Sequence, residues 1–223
     1  MTYKTVRTGR FVSRPNRFIA HVEVDGVDTV CHVKNTGRCK ELLTPGCTVI
    51  LAAGDNPARK TPYDLIAVYK GDRLINMDSQ APNAVAADYL AARFPTATIR
   101  REVTYGESRF DFHIRDGDEQ WFVEVKGCTL EIDNIGYFPD APTERGVKHL
   151  RHLIRATEEG YRAAVLFVIQ MEGIAAIRPN DVTHPAFGEA LRDAAANGVE
   201  IWATDCAVTP DSLTYKNPVT AEL

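Results

Sequence analysis

From residue 4 to residue 78, apolar and polar positions alternate in short runs broken by turn-forming residues, a period of two that predicts strands. The runs fall at 5–12, 18–24, 28–33, 47–52 and 65–77, the last broken at Gly71-Asp72, with one brief helical piece at 40–43. Five short strands in so few residues predict a small barrel of the OB type. The pattern then changes. Val85, Tyr89, Leu90 and Phe94 recur at helical spacing, so a helix starts near Pro82, with Asp78, Ser79 or Asn83 as candidate caps, and stops at Pro95. Strands follow at 98–105, 109–114, 121–125, 162–169 and 199–204. A second helix runs between a Thr143 N-cap and a Gly160 C-cap, and a third spans 185–197. The residues from about Asn217 are expected to be loose. The fold class is therefore α+β: an N-terminal OB-like β-barrel over 1–80 and a C-terminal α/β domain over 81–223.

The runs at 109–114 and 121–125 flank Asp116-Gly117-Asp118, a hairpin signal. With Gly117 and Asp118 at the tip, Phe110 faces Val125, Phe112 faces Val123 and Ile114 faces Trp121, an apolar face throughout. The other face then carries Arg109 opposite Lys126, Asp111 opposite Glu124, and His113 opposite Phe122. Carboxylates on directly opposed residues repel unless a cation or a proton lies between them. A hard divalent ion, Mg or Mn, fits two carboxylates and leaves its remaining positions to water and phosphate. Asp111 and Glu124 are thus the candidate metal ligands. Lys126 completes a catalytic set with them by holding a phosphate oxygen or a water, the arrangement required for metal-assisted phosphodiester hydrolysis. Charged hairpin faces also simply meet water. The register favours the metal site, because the pairing that buries every apolar residue also apposes the carboxylates. Glu102 is a further acid nearby, and Asp88 is the only acid of the first helix.

Length and composition change this picture little: 223 residues with 44% hydrophobic content can bury a sizeable core. No apolar run approaches the ~20 residues that cross a bilayer, and the first residues lack a signal-peptide core, so a cytoplasmic protein with no membrane partner is expected. Five cysteines without a CxxC pair indicate neither a disulfide framework nor a zinc site.

Charge adds more. The net charge is −4, but residues 1–80 carry 12 Lys and Arg against 8 Asp and Glu, while residues 81–223 carry 14 against 22. No acid precedes Glu23, and Lys4, Arg7, Arg10, Arg14 and Arg17 all do, a local polyanion surface or a solvated strand face. SRPNRF (13–18) and KNTGRCK (34–40) place Arg14, Arg17, Asn35 and Arg38 where guanidinium groups and backbone amides can converge on a phosphate. Lys60, in the pair Arg59-Lys60 after the Asn56-Pro57 turn, joins them. Phe11, Phe18 and Tyr63 are candidates for base stacking or for the core. On the second helix Val147, Leu150, Leu153 and Ile154 share one side, and Arg145, Lys148, His149, Arg151, His152 and Arg155 the other.

SRFDF (108–112), VEVKGCTL (123–130) and FPDAPTERGVKHL (138–150), in this order and at these distances, resemble the sugar fermentation stimulation protein A (SfsA) family over nearly the whole chain. The family's C-terminal part is similar to nucleases of the PD-(D/E)XK type, a core of strand, strand, strand, helix, strand. SfsA-like proteins also carry the two basic motifs, usually with proline and methionine where this chain has Lys34 and Cys39; Asn35, Thr36, Gly37 and Arg38 are kept. The resemblance implies DNA as partner, bound without sequence preference, and a regulatory role in sugar (maltose) metabolism. It implies a metal-dependent nuclease site with the Val125 carbonyl as a further metal ligand, and it brings Arg145, Lys148 and His149 beside the carboxylates as nucleic-acid contacts. Two other readings stay open: a DNA-binding regulator with a vestigial site, and an enzyme acting on a phosphorylated sugar. The oligomeric state is not legible.

Overall fold

The computed structural model describes residues 1–35, 37–54 and 58–223. Thr36 and the Asn56-Pro57 turn lie outside the described residues. The first part contains β1 (Val6–Ser13), β2 (Ile19–Val24), β3 (Val27–Val33), β4 (Thr48–Ala53), β5 (Tyr63–Lys70) and β6 (Arg73–Asn76). They pair in the order β3-β2-β1-β4-β5-β6, and β3 also pairs with β5 in parallel, so five strands close into an OB barrel with β6 appended to β5. Alternation explains the closure, since Ala20, Val22 and Val24 on one face of β2 are buried and Glu23 between them is exposed. Residues 40–43, expected as a helical piece, form a turn instead. The amides of Leu42 and Leu43 both donate to the Cys39 carbonyl (3.2 and 2.9 Å), and the two leucines bury themselves in the barrel core just ahead of Pro45, which lacks the N–H a helix would need.

The second part begins with α1 (Ala81–Arg93), then β7 (Thr98–Tyr105), β8 (Ser108–Asp116), β9 (Glu119–Cys128), β10 (Leu130–Ile132), β11 (Ile135–Phe138) and α2 (Glu144–Glu158). It ends with β12 (Arg162–Ile169), β13 (Ala176–Pro179), α3 (Pro185–Ala196), β14 (Glu200–Thr209), β15 (Ser212–Pro218) and β16 (Thr220–Ala221). The central sheet runs β15-β14-β12-β9-β8-β7, with β9, β12 and β14 parallel and β7 to β9 an antiparallel meander. β12, apolar from Ala163 to Ile169, is buried on both faces, as a central parallel strand must be. α1 covers one face through Val85, Ala86 and Leu90, and α2 and α3 cover the other through Leu150, Leu153, Phe187 and Leu191. Thr143 caps α2 by accepting the Gly146 N–H at 3.0 Å, and Gly160 just beyond it has φ +90°. Among the described residues no helix is long and apolar enough to cross a membrane.

The sequence pattern does not indicate a small sheet, β10-β11-β13-β16, whose strands are too short for a periodicity to show. This sheet also ties down the end of the chain, contrary to the expectation that it is loose from about Asn217. β16 pairs with β13, Glu222 N donates to Ile177 O at 2.9 Å, and Arg178 pairs with Glu222 at 2.6 Å.

Barrel and α/β part share one apolar core, and a buried polar junction fixes their orientation. Gln170 Nε2, at the end of β12, donates to Asn76 Oδ1 (3.0 Å) and to Asp78 O (3.1 Å). Asn76 Nδ2 donates to the Tyr3 hydroxyl, which donates in turn to Asp78 Oδ2. Asp78 is wholly buried and pairs with Lys34 at 3.4 Å; burial and the Asp78 charge push the Tyr3 phenol well up. A second clamp joins Lys70 and Arg73 of the barrel to Glu131 of β10 at 2.7 and 3.1 Å. Gly127 of β9 lies against this junction. A β-carbon there would sit 2.6 Å from both Gln170 Oε1 and Pro82 Cγ. Gly127→Ala is therefore expected to destabilise the fold by about 1–3 kcal/mol, the cost of overpacking. Urea denaturation checks this, and an unchanged midpoint would show that α1 shifts freely.

Candidate functional site

At its tip the β8–β9 hairpin has the expected register, with Phe112 opposite Val123, His113 opposite Phe122 and Ile114 opposite Trp121. The ladder opens at the next step. Asp111 Oδ2 accepts the backbone N–H of Val125 at 2.8 Å, and Asp111 Oδ1 accepts Asn83 Nδ2 of α1 at 2.8 Å. With the pairing broken, Phe110 does not join Phe112 and Ile114 under α1, as a uniform apolar face would require. It packs under α2, with Tyr105, Phe122 and His149 around it. Neither Asp111 with Glu124 nor Arg109 with Lys126 forms a ladder pair, yet Asp111 and Glu124 still meet, close enough for one charge to act on the other.

Glu124 is 4% exposed. Its Oε1 accepts Lys126 Nζ at 2.7 Å and also bonds His149 Nδ1, while its buried Oε2 has no hydrogen-bond partner among the described residues. Arg145 Nε, which can only donate, reaches His149 Nε2 at 3.3 Å, so the His149 proton sits on Nδ1 and points at Glu124. The helical pattern places His149 on the basic outer face of α2. It is buried instead, because small Gly146 and Ala156 widen the helix's inner arc beyond its four large apolar residues.

Burial raises the Asp111 pKa and the Glu124 charge adds to it, against the opposing pull of Val125 N–H, Asn83 and Lys126. Burial also acts to raise Glu124, but His149 and Lys126 outweigh it and the net shift is downward. The two carboxylates therefore act oppositely on stability. The Glu124 contribution is present at neutral pH and lost as pH falls through its lowered folded value; that of Asp111 is present in acid and lost as pH rises through its raised one. A buried oxygen without a partner beside a carboxylate reluctant to ionise fits a hard, oxygen-seeking cation. Among the described residues no group of three or more His, Cys, Asp or Glu is gathered to hold a metal.

Next to this pair a cleft of about 510 Å³ opens between the barrel and the α/β part. Arg17, Asn35, Gly37 and Arg38 form its barrel wall; Ser79, Pro82, Asn83, Val125 and Gly127 form its floor; residues 138–143 form the far wall. Asn83 and Val125 belong to both cleft and carboxylate pair. The structure thus brings Arg17, Asn35 and Arg38 to the site. Arg14 instead braces the loop: its Nη1 donates to the carbonyls of Gly37 and Arg38, and its Nη2 to those of Arg17 and Asn35, at 2.7–2.9 Å. Those donors are not offered to a ligand. Asn35 is likewise engaged, through Met77 O and Gly37 N.

Arg10 and Lys60 are exposed and do not line the cleft. Arg145 is exposed beside His149, and Lys148 pairs with Glu107 at 3.1 Å. Phe11 and Tyr63 pack in the core, and Phe18 is 54% exposed. Asp88 pairs with the N-terminal amine at 3.8 Å, and exposed Glu102 with Arg109 at 3.8 Å. Asn83 and Asp140 join the site without having been expected there. Asn83 carries one signal in the sequence, a polar side chain in the otherwise apolar first turn of α1.

Two family models match the chain, the SfsA N-terminal OB domain over residues 12–77 and the sugar fermentation stimulation protein RE domain over residues 80–212. Curated relatives include the sugar fermentation stimulation protein homologs of Desulfitobacterium hafniense (strain Y51), 55% identical over 100% of this chain and 99% of that protein, and of Clostridium beijerinckii, 52% identical over 98% of both. A solved structure of Pyrococcus furiosus SfsA in complex with Ca2+ superposes with a TM-score of 0.89 at 25% identity, covering 100% of this chain and 98% of the other.

The arginines of the barrel wall are expected to separate by role. Arg14→Lys cannot serve four carbonyls, and roughly 2–3 kcal/mol of stability should be lost. Arg17→Ala and Arg38→Ala should leave denaturant midpoints within about 0.5 kcal/mol of the parent. Chemical denaturation of the three variants decides it; equal losses would refute the division.

Proposed function

The chain belongs to the sugar fermentation stimulation protein (SfsA) family, and on that premise we propose that it is a DNA-binding protein without sequence preference that cleaves phosphodiester bonds with a divalent metal, in the service of regulating sugar metabolism. The observation that carries the reading is Glu124 Oε2, buried and without a hydrogen-bond partner among the described residues, close to Asp111, whose own partners Asn83 and Val125 line a cleft that also carries Arg17 and Arg38. The strand, strand, strand, helix, strand order of β7, β8, β9, α2 and β12 supports the likeness to PD-(D/E)XK nucleases.

Asp111, Glu124 and the Val125 carbonyl would hold Mg2+ or Mn2+, in keeping with the Ca2+ named for the Pyrococcus relative, since all three ions prefer oxygen ligands. When bound, such an ion lowers the pKa of water and neutralises charge on the scissile phosphate. The remaining work falls to side chains. His149 Nδ1–H and Lys126 keep Glu124 ionised, and Asn83 with the Val125 amide orients Asp111. Lys126 gives one N–H to Glu124, leaving two to orient a phosphate oxygen or the attacking water. Arg17 and Arg38 hold flanking phosphates, contacts that fix position and carry little sequence information.

Incubation of pure protein with labelled DNA, with and without Mg2+ or Mn2+, is the direct test. Lys126→Met should bind DNA like the parent and melt somewhat earlier, because Glu124 keeps only His149 as a partner, and it should lose metal-dependent cleavage. A variant that only melts earlier would make Lys126 a counter-ion, and a parent that cleaves nothing would leave a DNA-binding regulator alone. Metal should also raise the melting temperature of the parent by mass action, and Asp111→Asn and Glu124→Gln should lose that rise.

DNA affinity should fall steeply with salt, with a log–log slope of about −0.9 per phosphate contact on duplex and about −0.7 on single strands. Replacing Arg17 and Arg38 together should flatten the slope by about two contacts. A salt-independent affinity would place DNA elsewhere.

A further inference from the structure

Asp140 is a feature of the cleft that phosphate binding does not use. It is exposed on the far wall and makes no hydrogen bond or ion pair with any described residue, and neither do the guanidinium groups of Arg17 and Arg38. Its loop is fixed: Asn180 N donates to Phe138 O at 2.8 Å, Asn180 Nδ2 donates to Pro139 O at 3.0 Å, and Thr143 caps α2. Its carboxylate abuts the opposite wall, since a β-carbon on Gly37 would lie 2.5 Å from Asp140 Oδ2.

A free carboxylate facing the wall that carries the two arginines repels a phosphodiester chain. It favours binding only where the same ligand also offers hydrogen-bond donors. Nucleic acid has such donors on base edges and, in RNA, on the 2′-hydroxyl, but in a duplex the Watson–Crick donors are already paired. The size and stiffness of the cleft point the same way. About 510 Å³ is the volume of a small-molecule site. Its walls are tied together by the Asn76, Asp78 and Gln170 junction and by the Glu131 clamp, contacts that oppose any widening to admit a double helix. Phe138, half-buried and backed by Phe167 and Phe187 at 5.6 and 5.0 Å, adds an aromatic surface for a base.

Resting on the nucleic-acid reading above, we infer that the cleft takes one unpaired nucleotide of a single-stranded nucleic acid, its phosphates toward Arg17 and Arg38 and its base or sugar donors toward Asp140.

The full chain is tested by fluorescence anisotropy, in chelator so that nothing is cleaved. The probes are a labelled single-stranded DNA 12-mer, its RNA counterpart and a blunt duplex of the same sequence. Both single strands should bind at least tenfold tighter than the duplex, with RNA favoured further where the sugar supplies the donor. Asp140→Ala should weaken single-strand binding about tenfold, the loss of one charged hydrogen bond, and leave the duplex unchanged or tighter. Asp140→Asn, which keeps the shape, replaces it should the alanine variant melt early. A duplex bound as tightly as the single strands, or an Asp140 effect equal on all three probes, would overturn the inference while leaving the nucleic-acid reading standing. No binding to any probe would overturn both.

Discussion

A carboxylate buried in the middle of a sheet is the constraint on which the rest depends. Glu124 sits on β9 between β8 and β12, where an ionised group without partners costs several kcal/mol. His149 and Lys126 remove most of that penalty, and both do so at one oxygen. For His149 to reach it, the first two turns of α2 must lie over β9. That placement explains why the start of the helix is held so firmly: by the Thr143 cap, by the Thr143 N–H given to His184 at 3.2 Å, and by Glu144 against the same imidazole at 3.2 Å. Residues 138–143, which lead into α2, are thereby fixed as one wall of the cleft.

The opposite wall is set from the barrel. A loop between β3 and β4 has no ladder to satisfy its carbonyls, and the forked guanidinium of Arg14 donates to three of them, at Asn35, Gly37 and Arg38, and to the Arg17 carbonyl beside them. The buried junction around Asp78 then presents that loop to α1 and β9 at a fixed angle. A site made from two walls tied together in this way is preorganised for its ligand, and the buried, hydrogen-bonded Asn76, Asp78 and Gln170 disfavour alternative packings.

Much of this is legible in the sequence. Alternation locates the five barrel strands, because inward and outward positions differ sharply along a closed barrel, and it fixes the hairpin register through Phe112, Ile114, Trp121 and Val123. What fails are local decisions made by tertiary contacts. His149 reads as one more cation on a basic helix face until the buried arc is seen to include Gly146 and Ala156, and a histidine beside a buried carboxylate obeys its partner rather than its angle. Arg14 and Arg17 are indistinguishable in SRPNRF, since which guanidinium turns inward depends on where the loop carrying Asn35, Gly37 and Arg38 lies. β16 has two residues and no periodicity, so only its pairing with β13 reveals it. Asn83 becomes a site residue because the β8–β9 ladder opens at Asp111, an event that the ideal pairing of the hairpin does not contain.

Net charge is a poor guide to where a polyanion would bind on this chain. At −4 the molecule as a whole repels one, yet many cations far from the cleft are already answered: Arg162 by Glu119 and Glu200, Arg192 by Asp181, Arg178 by Glu222, Lys216 by Glu172. Such exposed pairs add little to stability, but they cancel the field over much of the surface. Arg17 and Arg38 keep charge that no described residue answers, and they keep it at the mouth of a narrow cleft, where low-dielectric walls concentrate a field that solvent would otherwise screen. An acidic protein can therefore attract phosphate at one place. That place shares Asn83 and Val125 with the carboxylate pair, in which Glu124 keeps one buried oxygen without a partner among the described residues.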